Sequence, residues 1–273
     1  MLSKTVSYLS SQINYTISGS GKKLLICLHG YDEDADTFDI FCKALVNDYT
    51  SVCIDMPFHG KTNWNESATA GIGGNDWEEI IARILQQENI STTRFTLLGY
   101  SMGGRIALSL FEHMPQKIEK LILLAPDGFT NNFWYWLATQ TYLGNRLFRF
   151  TVHHPAWILQ LAKFLYTFRI INLSVLKLAR HYLEEKELAE QLYARWTCFR
   201  KSRPDFNKII QYATDNQIPV RLVFGKFDHL ILQRHATTFC QSMGSLCKLT
   251  VINSGHHLLR EQYVEALTAQ LHN

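Results

Sequence analysis

Gly99-Tyr100-Ser101-Met102-Gly103 follows an apolar run at 95–98 and opens a stretch at 102–114 whose apolar residues recur at helical spacing. A serine between two glycines at a strand-to-helix turn has a physical reason. Lifting a nucleophile above the edge of a sheet needs a sharp turn with strained dihedrals at the serine. The glycines remove side chains that would collide across that turn. Ser101 then stands at a helix N-terminus, where backbone N–H groups and the dipole favour a developing anion. The five-residue pattern alone occurs by chance in many chains. A strand before it and a helix after it give it weight.

The same alternation runs along the whole chain. Short apolar runs recur at 24–28, 51–56, 95–99, 121–125, 220–224 and 249–253, most of them continuously apolar, as strands covered on both faces are. Helix-length segments fall between them at about 36–47, 76–88, 102–114, 207–214, 233–242 and 258–271. Residues 5–9 and 12–17 alternate and read as an antiparallel hairpin turning at Ser10-Ser11. The expected class is α/β, a mostly parallel sheet with helices on both faces. Between 125 and 220 no strand is expected, although a crossover needs only roughly a dozen residues. Residues 1–126 and 207–273 are therefore expected to form a sheet domain, and 127–206 a helical insertion. The insertion holds 17 of the 34 aromatic residues, and 11 Lys or Arg against 6 Asp or Glu.

A serine hydroxyl is a poor nucleophile without a base. His256, in Asn253-Ser254-Gly255-His256-His257, directly follows the last expected strand and is the candidate, with His257 as its rival. The base needs an orienting carboxylate. Asp228 stands on the loop after the run at 220–224, in Gly225-Lys226-Phe227-Asp228; Asp127, after the run at 121–125, is the alternative acid. Two backbone N–H groups must meet an oxyanion. The candidates are those of Met102 and of Tyr31, in Leu28-His29-Gly30-Tyr31, where Gly30 allows close approach. The Tyr31 side chain is also a candidate for substrate binding. Asp55-Met56-Pro57-Phe58-His59-Gly60-Lys61-Thr62 reads as a structural turn, with His59 a loop hydrogen-bonding residue.

Composition narrows the class. The chain has 273 residues, 47% hydrophobic and 19% charged, which excludes a disordered chain. A net charge of +3 is too small an excess to argue for nucleic acid. Six cysteines form no C-x-x-C pair and no zinc-ligand spacing, and Cys27 and Cys53 sit inside strand-like runs as small hydrophobes. No metal or organic cofactor is expected. The first residues lack the apolar stretch of a signal peptide, and no uncharged apolar run reaches the roughly 18 residues of a membrane span. The expectation is a cytoplasmic protein with reduced thiols, without stable membrane insertion, of undetermined oligomeric state.

Together, His29-Gly30, the turn at 55–62, Gly99–Gly104, Gly225–Asp228 and Gly255-His256 resemble the α/β-hydrolase superfamily, in its order and at its intervals. The resemblance covers about 1–126 and 207–273. It implies a Ser101–His256–Asp228 triad, an acyl-enzyme intermediate and a helical lid. The serine argues against the members of this fold that use an aspartate nucleophile. The elbow, with Arg105 one helical turn after Ser101, is also similar to that of the menaquinone-pathway synthase that eliminates pyruvate. In that family the arginine helps hold an anionic substrate, so Arg105 is a candidate binding residue; a salt bridge to a neighbouring loop is the plainer reading.

Within the insertion, Trp157, Leu161, Phe164, Leu165, Phe168, Ile171, Val175 and Leu178 fall on one helical stripe, with Lys163, Arg169, Lys177 and Arg180 opposite. A break is expected near Asn172-Leu173-Ser174. The stripe is expected to pack on the sheet domain, the sharper readings being a membrane-interface lid or a dock for an anionic substrate. The function expected is a serine hydrolase cleaving an ester or thioester of a small, largely apolar acyl group. The alternatives are a lyase or carbon–carbon hydrolase, and a slow ligand-sensing homologue.

Overall fold

In the computed structural model, which describes residues 1–92, 94–130 and 133–272, eight strands pair into one sheet. They are β1 (Leu2–Tyr8), β2 (Ser11–Ser18), β3 (Lys23–Leu28), β4 (Tyr49–Ile54), β5 (Phe95–Tyr100), β6 (Ile118–Leu124), β7 (Val220–Gly225) and β8 (Cys247–Ile252). Their order is β1-β2-β4-β3-β5-β6-β7-β8. β1 and β2 form the expected antiparallel hairpin, and β2 pairs antiparallel with β4. Every later pairing is parallel.

The burial of the strands follows from their positions. Central β5 is buried at all six residues, because a parallel strand is covered on both faces. Edge strand β8 is buried at Cys247 and partly open along the rest. β3 lies between β4 and β5, so the chain departs from it to one side and returns on the other. Loops at the carboxyl ends of β3 and β5 therefore part at a topological switch point, where open α/β sheets bind ligands.

Helices α1 (Asp39–Lys43), α2 (Gly74–Gln87), α3 (Met102–His113), α9 (Phe206–Asp215), α10 (Arg234–Ser242) and α11 (Val264–His272) accompany the strands. Two are shorter than their spacing suggests. At 36–47 the apolar positions Phe38, Phe41, Cys42 and Leu45 are all buried, as expected. Yet a tight turn at Ala35–Phe38, capped by Asp34, precedes only five α-helical residues. The α-helix starts only at Val264: Leu258 is buried in a non-helical segment, and the tight turn Glu261–Tyr263 follows it, the Tyr263 hydroxyl donating to Asn253 O.

By internal packing the chain divides into two units. One comprises Met1–Glu66, Gly73–Thr130 and Ser202–Asn273; the other Ser67–Ile72 and Asn131–Lys201. The second holds α4 (Phe133–Gln140), α5 (Tyr142–His153), α6 (Ala156–Thr167), α7 (Leu173–Leu183) and α8 (Lys186–Cys198). Asn172 caps α7, its side chain accepting from Val175 N at 3.0 Å, so the chain breaks where expected. This unit has a small core of Val152, Leu183 and Ala189, with Phe148, Ile158, Leu159 and Tyr193 against it. The stripe at 157–178 departs from expectation. Trp157, Leu161, Phe164, Phe168, Val175 and Leu178 are exposed, so it is not a buried face. α6 packs through Ile158 and Leu159, about a quarter to half a turn round the helix from Trp157.

Candidate active site

Ser101 sits between the end of β5 and the start of α3 with φ 52° and ψ −116°, a strained conformation for a residue with a Cβ. The surrounding backbone holds it there. Its N–H donates to Leu124 O at 2.9 Å, and its carbonyl accepts from Gly104 N and Asp127 N, each at 2.9 Å. The glycine of the turn is required by close approach: a Cβ on Gly103 would lie 2.1 Å from Leu28 O and 2.5 Å from His29 O. The elbow is thus pressed against the end of β3.

Two loops at the carboxyl ends of β7 and β8 complete the cluster. His256 Nε2 lies 3.0 Å from Ser101 Oγ, and His256 Nδ1 lies 2.8 Å from Asp228 Oδ2. A carboxylate only accepts, so Nδ1 carries the proton and Nε2 is left to accept from the serine hydroxyl. The Asp228 side chain is fully buried. Its other oxygen, Oδ1, accepts from Leu230 N at 2.8 Å and Ile231 N at 3.0 Å, so both carboxylate oxygens are engaged. Tyr100, beside Ser101 in sequence, donates its hydroxyl to His256 O at 3.1 Å and sets its ring 5.5 Å from the imidazole.

The rival positions fall elsewhere. His257 is exposed, and its carbonyl accepts from the Ser254 hydroxyl. Asp127 faces Arg105, with 3.4 Å between Oδ2 and the guanidinium, and Oδ1 accepts from Gly128 N at 2.7 Å. The plainer reading of Arg105, an ion pair to a neighbouring loop, is the geometry found.

The loop after β3 runs alongside the serine. A Cβ on Gly30 would come within 3.4 Å of Ser101 Cβ and 2.9 Å of Glu33 Oε2. His29 ties this loop to the next one: Nδ1 donates to Gly30 O at 2.8 Å, and Nε2 accepts from Met56 N at 3.0 Å. Asp55 is a buried hub that accepts from Ala35 N, Asn14 Nδ2 and Lys61 N, and His59 Nδ1 bonds Pro57 O at 2.8 Å. Tyr31 sets its ring against His59, 5.9 Å between centroids.

Glu33 was not singled out by the motifs. Its carboxylate accepts from Gly30 N at 3.1 Å, and burial pushes its pKa up to about 7. The Gly30-to-Glu33 spacing of three residues was the available signal. Burial also raises the Tyr100 hydroxyl, with the Glu33 and Asp228 charges adding to the effect.

A cleft of about 60 Å³ opens between the loops that follow β6 and β7, walled by Phe129, Leu230, Ile231, Leu232 and His235. Away from the strand ends, Cys27 and Cys53 stand opposite each other on β3 and β4, and Cys42 of α1 joins them. Their sulfurs lie within 4.8 Å of one another, buried among Leu25, Phe38 and Tyr49. Burial pushes the Cys27 and Cys53 thiols up. Separation in sequence hides this proximity. In the fold the three serve the core as small apolar side chains.

Comparison with known proteins bears on the family and the fold. A family model described as serine aminopeptidase, S33, matches residues 19–262. A probable serine hydrolase of Drosophila melanogaster is 33% identical over 106 residues, 39% of this chain and 31% of that protein. The dihydrolipoyllysine-residue acetyltransferase component of the acetoin cleaving system of Cupriavidus necator is 28% identical over 118 residues, 43% of this chain and 30% of that one. The chain spans about a third of the length of these curated relatives. Among solved structures, an esterase from Thermogutta terrifontis superposes with a TM-score of 0.68 at 16% identity, covering 100% of this chain and 98% of that one. The thioesterase domain of the curacin biosynthetic pathway gives 0.63 at 18%, covering 99% of each chain. At such identities the likeness is one of fold.

Proposed function

The chain belongs to the serine aminopeptidase S33 family of α/β-hydrolases, and from that membership we propose that it is a serine hydrolase cleaving a carboxylic ester or thioester through an acyl-enzyme. The observation that carries the reading is the run from Asp228 Oδ2 through His256 to Ser101 Oγ, at 2.8 and 3.0 Å. Ser101 Oγ attacks the acyl carbonyl as His256 Nε2 takes its proton. Asp228 holds the imidazole in the tautomer that can do so and stabilises the imidazolium. The backbone N–H groups of Tyr31 and Met102 receive the oxyanion. Collapse of the tetrahedral intermediate breaks the bond to the leaving group, which departs with the proton from His256. Water, deprotonated by His256, then attacks the acyl-enzyme and releases the carboxylic acid and Ser101.

An apolar acyl group is supported by Phe129, Leu230, Ile231 and Leu232, which line the cleft between the loops after β6 and β7 together with Asp127, Thr130 and His235. The engagement of Arg105 by Asp127 favours hydrolysis over a lyase reaction that would need the guanidinium for an anionic substrate. The second unit, at the position where this superfamily inserts a cap, is assigned that role here. The test is turnover of p-nitrophenyl esters from acetate to octanoate, with fluorophosphonate labelling. Wild type is expected to hydrolyse them and to label at Ser101, and Ser101→Ala to do neither. Undiminished turnover by Ser101→Ala overturns the proposal.

A further inference from the structure

Gly30 is the joint on which the expected oxyanion donor turns. It has no Cβ to limit its torsions, and the N–H of Tyr31 belongs to the peptide that follows it. That peptide is held by its oxygen. His29 Nδ1 donates to Gly30 O at 2.8 Å, and its tautomer is fixed because Nε2 accepts from Met56 N at 3.0 Å. In a trans peptide C=O and N–H point in opposite directions, so a grip on Gly30 O aims the Tyr31 N–H. The peptide before Gly30 is held separately. β3 ends at Leu28, so the N–H of buried Gly30 lies beyond the ladder, and Glu33 Oε2 accepts it at 3.1 Å. A glycine with both flanking peptides pinned has its two torsions set. The carboxylate comes this close because Gly30 is bare: a Cβ there would sit 2.9 Å from Glu33 Oε2 and 3.4 Å from Ser101 Cβ. The carboxylate and the nucleophile thus both adjoin Gly30.

We propose that Glu33 is a positioning residue for the oxyanion hole: its carboxyl holds Gly30 and, through it, keeps the Tyr31 N–H on the developing oxyanion. The inference rests on the hydrolase reading above, in which Tyr31 and Met102 are the two donors. The grip does not depend on charge, since an ionised carboxylate and the carbonyl oxygen of a neutral carboxyl both accept. The amide oxygen of glutamine accepts as well, whereas alanine and leucine offer no acceptor. Without one, the Gly30 N–H is left buried and unpaired, and the loop gains by turning it toward another partner. The Tyr31 N–H then turns with it.

The test combines p-nitrophenyl butyrate hydrolysis with inhibition by a matched pair, trifluoromethyl hexyl ketone and methyl hexyl ketone. Ser101 Oγ adds to the fluorinated carbonyl, its proton passing to His256 and the carbonyl π pair becoming an oxyanion; the plain ketone binds without adding. Glu33→Ala and Glu33→Leu are each expected to lower kcat by about tenfold or more, with KM within about threefold, and to raise the Ki of the fluorinated ketone by a similar factor. The Ki of the plain ketone is expected to stay within about threefold, because it calls on no oxyanion. Glu33→Gln is expected to keep kcat and both Ki values within about threefold of wild type. Glu33→Leu keeps the bulk of the side chain, so it carries the test if Glu33→Ala fails to fold. Wild-type kcat in Glu33→Leu, or a loss in Glu33→Gln as large as in Glu33→Leu, overturns the inference and leaves the hydrolase reading standing. So does equal weakening of both ketones, which would mean a general disturbance of the pocket. A wild type that neither turns over the ester nor labels at Ser101 overturns both.

Discussion

Asp228 and Asp127 stand on successive strand-end loops, and their surroundings separate them. Asp228 is fully buried, with one oxygen on His256 and the other on two backbone N–H groups, whereas Asp127 faces Arg105. Asparagine at 228 offers an amide where the imidazole needs an acceptor and favours the wrong tautomer. Asp228→Asn is therefore expected to lower kcat on p-nitrophenyl butyrate by about a thousandfold or more. Asp127→Asn is expected to lower it by less than about tenfold; the reverse order would move the acid to Asp127. Glu33 yields a pH prediction. Its folded pKa of about 7 is above the ordinary 4.5 because of burial. The folded state thus holds this proton more tightly, and the stability Glu33 lends is complete below pH 4.5 and lost as pH rises through about 7. Across that window the Tm of wild type should fall relative to that of Glu33→Gln. Parallel Tm curves would refute it. The serine, histidine and both acids were legible because each follows an apolar strand. Glu33 was not, because its importance comes from burial beside Gly30, at which a spacing of three residues only hints.

At the scale of elements, the contact of α3 with β3 decides whether the elbow forms. Alanine at Gly103 would push a methyl against the Leu28 and His29 carbonyls, which belong to a central strand and its loop and have little room to retreat. Gly103→Ala is expected to destabilise by at least about 1–3 kcal/mol in urea denaturation and to reduce labelling of Ser101. A wild-type midpoint with full labelling would mean that the backbone shifts freely there. The strands were readable because burial on both faces makes a parallel strand apolar at successive residues, as β5 is. Helix lengths were less so. At 36–47 the helical spacing of Phe38, Phe41 and Cys42 is real, and all three are buried. Spacing reports the buried face, though, and not the hydrogen bonding. Asp34 accepts Asp36 N and Asp55 accepts Ala35 N, and these bonds turn the chain tightly before α1 begins.

The whole molecule raises a different limit of periodicity. The row at Trp157, Leu161, Phe164 and Phe168 was readable as apolar, but nothing in its spacing says what covers it; the solvent exposure of these side chains is a property of the fold. How the two units are connected leads to the last prediction. Within the first unit, Phe129 and Phe206 stack with centroids 4.8 Å apart, and both meet Phe239, at 5.3 and 5.5 Å. The chain therefore leaves this unit at Thr130 and returns at Ser202 close to one anchored spot. All eight strands, and the loops bearing Ser101, Asp228 and His256, lie on the near side of that spot in the first unit. Replacing 131–201 with a Gly/Ser linker of about six residues should leave a cooperatively melting protein that still reacts with fluorophosphonate at Ser101. It should be less stable by about 1 kcal/mol or more, since Ile72 N loses its bond to Cys198 O. An aggregated or unreactive product would show that the sheet unit needs the second unit to fold.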